Sequence, residues 1–113
     1  MYKYSILVAS FPFGDGVNQT KPRPVLCLSN SIGKYAELIL AYITSKIPFE
    51  KLESDETIQK TDEFFNQTGL SHSSTIRLHK LITLSKTEIL GTIGVLPSNV
   101  QLQVNMKLNN LFK

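Results

Sequence analysis

Short apolar runs, each bounded by glycine, proline or charged residues, are the feature that most limits what this chain can fold into. Runs of this length that are rich in β-branched residues are typical of strands, and all fall short of the ~20 residues that a membrane-spanning helix needs. The chain has 113 residues, of which 42% are hydrophobic and 19% are charged. These values predict one soluble domain over residues 1–113 with a mainly β core.

The longer strands are predicted over residues 3–11, 25–30, 35–44 and 74–84, with a short return strand over residues 91–96. Segments that contain glycine, proline or clustered polar residues separate them, and strands joined in this way are commonly antiparallel neighbours. The sequence therefore predicts a small antiparallel barrel or half-barrel.

Two other segments have different patterns. Residues 50–67 are expected to be irregular, with a short strand or a turn of helix. Ser85 and Glu88 have the spacing of a capping box, which predicts a single helical turn. The C-terminal segment alternates with period two but also has apolar residues at helical spacing, and a second capping box at Ser98 and Gln101 favours a helix that ends near residue 111.

Charge is distributed unevenly along the chain. There are 12 Lys and Arg residues against nine Asp and Glu residues, a net charge of +3. Six of the acids and two lysines fall in residues 50–63, so the rest of the chain has ten basic and three acidic residues, a net charge of +7. A basic body suits a polyanionic partner such as nucleic acid, and a solvated charged loop is the alternative interpretation of the acidic segment.

The compartment is predicted from the single cysteine, Cys27, and from the start of the chain. A lone cysteine argues against a disulfide framework and fits a reducing cytoplasm, where Cys27 is expected to be a small core residue. The first ten residues are interpreted as a strand and not as a signal peptide, because the apolar run is short and no small-residue cleavage site follows it. We therefore expect a cytoplasmic protein with no membrane association.

A cation stands between two prolines in the segment "KPRPVLCLSN", residues 21–30. A proline fixes its own φ and restricts the residue before it. Arg23 is therefore expected to hold a defined position at the mouth of a strand, with Pro22 and Pro24 preventing the strand from extending into the preceding loop.

Polar residues cluster at the predicted strand ends. If the second, third and fourth strands are antiparallel neighbours, Arg23, Thr44 and His72 lie at one edge of the sheet, with Ser45 and Ser74 beside them. A guanidinium and a hydroxyl can bind a phosphodiester, and an imidazole can move a proton. The alternative interpretation is that these are ordinary polar residues at strand ends.

The sequence contains none of the short motifs of phosphate-binding loops, zinc sites or serine hydrolases. The two histidines, His72 and His79, have no second donor at metal-ligand spacing. No metal and no cofactor are therefore predicted.

Several segments occur in the order found in the MazF/PemK toxin family. They are "FPF" (11–13), "KPRPVLCLS" (21–29), "YITS" (42–45) and "TGLSHSSTIRLHKLITLSKTEILGTIGVL" (68–96). The chain resembles this family over nearly its whole length. The resemblance implies a small barrel of the CcdB/PemK plasmid-maintenance-toxin type, mainly β with a C-terminal α-helix.

The resemblance also implies a function. Members of the family are toxins of type II toxin–antitoxin systems, and they cut single-stranded mRNA at short sequences without a metal, by attack of the substrate 2′-hydroxyl on the adjacent phosphate. The implied partners are single-stranded RNA, a cognate antitoxin protein and a second copy of the chain in a homodimer. An exposed contact stripe for that dimer is expected from the alternating apolar residues Val100, Leu102, Val104 and Met106.

Two catalytic residues are assigned by the resemblance. Arg23 matches the family arginine that binds the scissile phosphate or donates a proton. Thr44 matches the family hydroxyl at the end of the third main strand, and its neighbour Ser45 is a candidate substrate-binding residue.

Further substrate-binding candidates come from the loop and from the fourth strand. Residues 14–21 match a mobile loop that folds over RNA, and Asp15, Gln19 and Lys21 are its candidate contacts. Arg77 is expected on a solvated, RNA-facing surface of the fourth strand.

Two positions depart from the family pattern. His72 and Ser74 stand where the PemK-like branch has an arginine and an aspartate. Because a serine cannot act as a carboxylate base, His72 is the candidate base and Ser74 a candidate substrate contact. Tyr4 and Ser5 replace the Gly-Asp that usually begins the first strand, which is expected to alter a turn.

Other functions are weighed against the ribonuclease. A catalytically impaired module that binds RNA or an antitoxin with the same fold is the main alternative, because the family acid and second arginine are missing. A gyrase poison of the CcdB kind is disfavoured, since that activity is associated with a C-terminal Trp-Gly-Ile and this chain has no tryptophan. A purely structural small domain is the third alternative.

Overall fold

The computed structural model describes residues 2–10 and 21–113. Within these residues the strands form one six-stranded antiparallel sheet in the order β4-β5-β3-β2-β1-β6. The strands are β1 (Ser5–Ser10), β2 (Pro22–Cys27), β3 (Glu37–Thr44), β4 (Asp55–Ile58), β5 (Ser74–Ser85) and β6 (Ile89–Val95). The helices are α1 (Phe65–Thr68) and α2 (Ser98–Leu111), and a short 3₁₀ helix, Lys86–Glu88, connects β5 to β6.

The prediction of a mainly β fold with a C-terminal helix is confirmed, but the sheet is not closed into a barrel. In the described part of the chain, β4 pairs with β5 alone and β6 pairs with β1 alone. The short helix α1 lies against β6: a Cβ built at Gly94 would stand 2.2 Å from the carbonyl oxygen of Thr68. The backbone of α1 therefore contacts β6 closely.

Both faces of the sheet bury apolar side chains, as expected where successive residues of a strand point to opposite sides. One face packs under α1 and α2, and the core on this side combines strand residues with residues of the helices and connecting segments: Ile6, Leu26, Ala41, Ile43, Ile58, Phe65, Leu70, Ile76, Leu78, Leu96, Val100 and Val104. The other face includes Leu7, Ala9, Val25, Cys27, Leu38, Leu40 and Tyr42. Cys27 is fully buried, as the sequence predicts.

The predicted start of the second strand is wrong, because β2 begins at Pro22 and contains both prolines. The ladder to β1 extends to the pair Ser10–Pro22, whereas β3 pairs with β2 only from Val25 onward. The two prolines therefore lie on a stretch that pairs on one side only, and such an edge tolerates a residue without an N–H. Arg23 is held as a strand residue, opposite Ala9 of β1.

The C-terminal helix is confirmed with the predicted bounds, but its cap differs from the predicted box. Pro97 is the N-cap, and no side chain caps the helix. The Gln101 side-chain amide instead donates to the carbonyl oxygen of Leu96 at 2.7 Å. The predicted contact stripe is wrong, because Val100 and Val104 face the core while only Leu102 and Met106 are exposed. No helix in the described residues is long and apolar enough to cross a membrane.

The predicted capping box at Ser85 does produce a helical turn. The Ser85 hydroxyl accepts the N–H of Thr87 at the start of the 3₁₀ helix. The turn before the first strand, where Tyr4 and Ser5 replace Gly-Asp, is unusual in its backbone. Tyr4 has a φ of 70°, a conformation that glycine adopts without strain. Backbone hydrogen bonds hold it there: the Tyr4 N–H donates to Cys27 at 2.7 Å, and its carbonyl accepts from Leu96 at 3.0 Å.

The acidic segment is tied to the rest of the molecule through two ion pairs. Asp55, at the start of β4, is buried, and its Oδ1 lies 3.0 Å from Arg77 Nε on the neighbouring strand. Glu56 Oε1 lies 2.8 Å from Lys107 Nζ on α2. The expected strand and turn of helix are present as β4 and α1, and these two acids pack as structural partners of the basic body.

Candidate active site

A cleft of about 180 Å³ lies at the edge of the sheet where β2 begins, β3 ends and β5 begins. We call it the Arg23 cleft. Its lining consists of Arg23, Pro24, Tyr42, Ile43, Thr44, Ser45, Lys46, Leu70, Ser71, His72 and Ser74. The strand order explains this grouping, because β2, β3 and β5 are consecutive neighbours in the sheet and run antiparallel. The structure therefore brings together all three predicted catalytic residues and two of the predicted substrate contacts.

Arg23 presents a donor that is not used within the described part of the chain. Its side chain is half-buried, and its Nε is inaccessible to solvent yet has no hydrogen-bond partner among the described residues. A buried donor without a partner costs about 1–3 kcal/mol, and such groups are uncommon in folded proteins. An anionic ligand in the cleft would give this guanidinium an acceptor and a neutralising charge.

Thr44 is the last residue of β3, and its hydroxyl is oriented by the chain that follows. The Thr44 Oγ1 accepts the N–H of Lys46 at 3.1 Å. This bond uses the oxygen as an acceptor and leaves the hydroxyl hydrogen for a ligand. Ser45, between the two, is exposed and lines the same cleft.

His72 lies in the loop before β5 with its ring exposed. Its Nδ1 is 2.9 Å from the hydroxyl oxygen of Ser71. When Nδ1 carries the proton and donates to Ser71, the lone pair of Nε2 is available to accept a proton from a ligand. The neighbouring serine can therefore select the tautomer that a general base requires.

Ser74 lines the cleft, but its hydroxyl bonds within the chain. The Oγ of Ser74 donates to the carbonyl oxygen of His72 at 2.8 Å, and the residue is buried. This bond fixes the backbone that carries His72. The geometry thus gives Ser74 a positioning contact in addition to its place in the lining.

The remaining predicted contacts lie elsewhere. Asp15 and Gln19 fall in residues 11–20, outside the described residues. Lys21 is exposed and is not part of the cleft lining. Arg77 is also outside the lining, and its side chain is only 14% exposed because its Nε donates to Asp55 at 3.0 Å. The expectation of a solvated side chain is therefore wrong for Arg77, which packs against a buried carboxylate, while its contact with RNA stays a prediction.

Lys46, Ser71 and Tyr42 were missed by the sequence reasoning, although all three line the cleft. Lys46 and Ser71 each stand next to a predicted residue, and this adjacency was the available signal. Tyr42 is followed two residues later by Thr44 on β3, and the ammonium group of Lys80 lies 5.5 Å from its ring centroid. This contact places a further positive charge beside a residue of the cleft.

Two groups outside the cleft have perturbed pKa values. Burial raises the pKa of the Cys27 thiol, which donates to the carbonyl oxygen of Ser29 at 3.1 Å. Desolvation, with a smaller contribution from the charge of Arg77, lowers the pKa of His79. Within residues 2–10 and 21–113, no group of three His, Cys, Asp or Glu side chains is arranged to hold a metal ion.

Comparisons with known proteins agree with this architecture. The model of the PemK-like, MazF-like toxins of type II toxin–antitoxin systems matches residues 2–112. A comparison with curated protein sequences found no match. The solved structure of Mycobacterium tuberculosis toxin MazF-mt6 is 19% identical, covers 96% of this chain and 95% of that chain, and has a TM-score of 0.71. An endoribonuclease in complex with its cognate antitoxin from Mycobacterial species is 14% identical, covers 97% and 92%, and has a TM-score of 0.71.

Proposed function

The chain belongs to the PemK-like, MazF-like toxin family of type II toxin–antitoxin systems, and we propose that it is a metal-independent endoribonuclease that cuts single-stranded mRNA at short sequences. The observation that carries this proposal is the Arg23 cleft, in which a guanidinium with an unpartnered buried Nε shares a lining with a hydroxyl and an imidazole. We propose further that residues 1–113 act as one toxin domain in the cytoplasm, where mRNA is found.

In the proposed reaction the scissile phosphate binds between Arg23 and Thr44. The guanidinium neutralises the non-bridging oxygens, and the Thr44 hydroxyl donates to one of them. Both interactions strengthen as negative charge develops on the phosphate in the transition state. No metal is needed for this step, because the cation that stabilises the charge is a side chain.

Proton transfer is assigned to His72. Its Nε2 takes the proton of the 2′-hydroxyl while a bond forms between the 2′-oxygen and phosphorus, and the bond from phosphorus to the 5′-oxygen breaks. The products are a 2′,3′-cyclic phosphate and a 5′-hydroxyl, and the leaving oxygen takes up a proton for which Arg23 is the candidate donor. A general base of this kind contributes about 10²–10⁴-fold to the rate.

The chemistry is tested with an RNA that carries a single 2′-deoxynucleotide at a mapped cut position. Cleavage should stop there, while a deoxynucleotide placed one position away should leave it unchanged. Cleavage of the first substrate would contradict attack by the 2′-hydroxyl. His72→Gln should lower the rate by about 10²–10⁴-fold, whereas His79→Gln, which removes a histidine outside the cleft, should not.

We also propose a cognate antitoxin and a homodimer as partners. The support for the dimer is the strand β6, which pairs with β1 alone among the described residues and exposes Leu90, Ile93 and Val95. Sedimentation equilibrium should give twice the chain mass, and Leu90→Lys should shift it toward the monomer. A monomer at all concentrations would contradict the dimer.

A further inference from the structure

The loop over residues 45–54, between β3 and β4, begins with two residues that line the Arg23 cleft, Ser45 and Lys46, and then exposes two large apolar side chains. Ile47 is 94% exposed and Phe49 is fully exposed. Single exposed apolar residues are ordinary on protein surfaces. A fully exposed phenylalanine is more informative here, because its loop neighbours Pro48 and Lys51 line a second pocket.

This second pocket has a volume of about 320 Å³ and continues from the Arg23 cleft. We call it the Thr57 pocket. The two share Thr44, Ser45, Lys46 and Ser74. The rest of its lining comes from Ile47, Pro48, Lys51, Thr57, Gln59, Ser73 and Thr75. Among the described residues, no acidic side chain belongs to this lining, so its charged groups are both lysines.

The two residues of the ion pair between Asp55 and Arg77 also hold the backbone of this loop. The Oδ2 of Asp55 accepts the N–H of Leu52 at 2.9 Å, and the Asp55 N–H donates to the Leu52 carbonyl at 3.0 Å. The Nη2 of Arg77 donates to the carbonyl oxygen of Glu50 at 3.4 Å. Phe49 is thus presented on a loop with an anchored C-terminal half, which lowers the ordering cost of a contact.

We propose that this loop and the Thr57 pocket bind the RNA nucleotide beside the scissile phosphate, with Phe49 stacking on an unpaired base. This inference rests on the ribonuclease function proposed above. Unpaired bases stack on exposed aromatic rings with little sequence preference, and lysines neutralise the backbone phosphates. Lys46 and Lys51 supply that charge. The side chains of Thr57 and Gln59 offer donors and acceptors to a base edge.

Two observations favour an RNA base as the occupant of the Thr57 pocket: the pocket adjoins the Arg23 cleft, and its charged residues are lysines. A nucleotide whose phosphate is held at Arg23 extends into the adjoining pocket through the residues that the two sites share. A positively charged, apolar and hydroxyl-rich lining complements a nucleobase and its phosphate. The lining of the pocket therefore determines which base stands next to the cut, and stacking on Phe49 determines how tightly that base is held.

The test uses the full chain and an RNA in which every ribose is 2′-O-methylated, so that binding is measured without cleavage. A 2-aminopurine is placed beside the mapped cut position. Wild-type protein should quench its fluorescence by stacking. Phe49→Ala should weaken binding by roughly five- to one-hundred-fold and abolish the quenching, whereas Phe49→Tyr should retain both. Tyr35→Ala, which removes an exposed aromatic of the β2–β3 connection, should change neither.

Cleavage assays separate this inference from the ribonuclease proposal. Phe49→Ala should cut RNA less efficiently than wild type when a base is present beside the cut, and the two proteins should differ less on an RNA with an abasic nucleotide at that position. Gln59→Ala should relax the base preference next to the cut. If wild type cuts RNA and Phe49→Ala cuts it equally well, this inference is overturned and the ribonuclease proposal stands. Wild type that neither binds nor cuts RNA overturns both, and a Phe49→Ala effect confined to dimerisation or antitoxin binding assigns the loop to a protein partner and overturns the inference.

Discussion

Removing the carboxylate of Asp55 is expected to destabilise the protein strongly. The Asp55 side chain has no solvent exposure, the Arg77 side chain is 14% exposed, and the two charged atoms are 3.0 Å apart. Loss of one partner leaves a largely buried guanidinium without its counter-charge, and it also removes the acceptor of the Leu52 N–H. Breaking a buried pair in this way costs about 3–5 kcal/mol. Asp55→Ala should therefore remove a large share of the ~5–15 kcal/mol that stabilises a typical domain.

The assay is urea unfolding followed by far-ultraviolet circular dichroism. All variants are compared at one protein concentration, because self-association makes the free energy of unfolding depend on concentration. Arg77→Leu and the double variant complete a mutant cycle. The double variant should lose about 0.5–3 kcal/mol less than the sum of the two single losses, since it leaves neither charge unpaired. A loss below about 1 kcal/mol in Asp55→Ala, the range of exposed ion pairs, would refute this reasoning.

The same variants test whether Arg77 contacts RNA. Each phosphate contact to a single strand contributes about 0.7 to the slope of log affinity against log salt concentration. Arg77→Leu should leave this slope unchanged, because its guanidinium is occupied by Asp55. Lys51→Leu should reduce it by about 0.7, since this lysine lines the Thr57 pocket. A reduced slope in Arg77→Leu would instead support the contact between Arg77 and RNA that the sequence predicts.

Three further substitutions and one thiol reaction test the packing. Gly94→Ala should lower the free energy of unfolding by about 3 kcal/mol, because its Cβ would stand 2.2 Å from the backbone of α1. Gly91→Ala on the same strand has open space around the new Cβ and should change the free energy of unfolding by no more than about 0.5 kcal/mol. Equal losses would contradict the close approach. Gly33→Ala should cost about 1–2 kcal/mol in the same unfolding assay from its φ of +72° alone, and no measurable loss would refute that cost. Because burial raises the pKa of the Cys27 thiol, a disulfide reagent at about pH 8 should modify it slowly until urea unfolds the chain; rapid modification of folded protein would contradict its burial.

The fold could be predicted from local patterns because each element is encoded in its own residues. The helix α2 follows from the spacing of its apolar residues, although the capping box expected at Ser98 and Gln101 does not form, and the 3₁₀ helix follows from the cap at Ser85. The start of β2 could not be predicted in this way. Proline usually interrupts a strand because it lacks an N–H, but here the two prolines lie on a stretch of β2 that pairs with β1 alone. Which face of α2 is buried also depends on the sheet beneath it, which no local period specifies.

Part of the candidate site could also be predicted from the sequence. The placement of Arg23, Thr44 and His72 at one edge follows from strand order. The partner of Arg77 lies 22 residues away in sequence and is recognised only once β4 pairs with β5. The unpartnered Nε of Arg23 depends on three-dimensional burial, which the sequence does not specify.

The most direct test of the central claim is cleavage of a long single-stranded RNA in EDTA by wild-type protein, Arg23→Ala and Arg23→Lys, with the 5′ ends of all fragments mapped. The account predicts cuts at one recurring short sequence that persist in EDTA, disappear in Arg23→Ala and are weakened in Arg23→Lys, which keeps the charge but lacks the Nε. Binding of 2′-O-methylated RNA should largely survive in Arg23→Ala. Intact RNA together with a gel shift by wild-type protein would contradict the account and identify a binding module with a toxin fold.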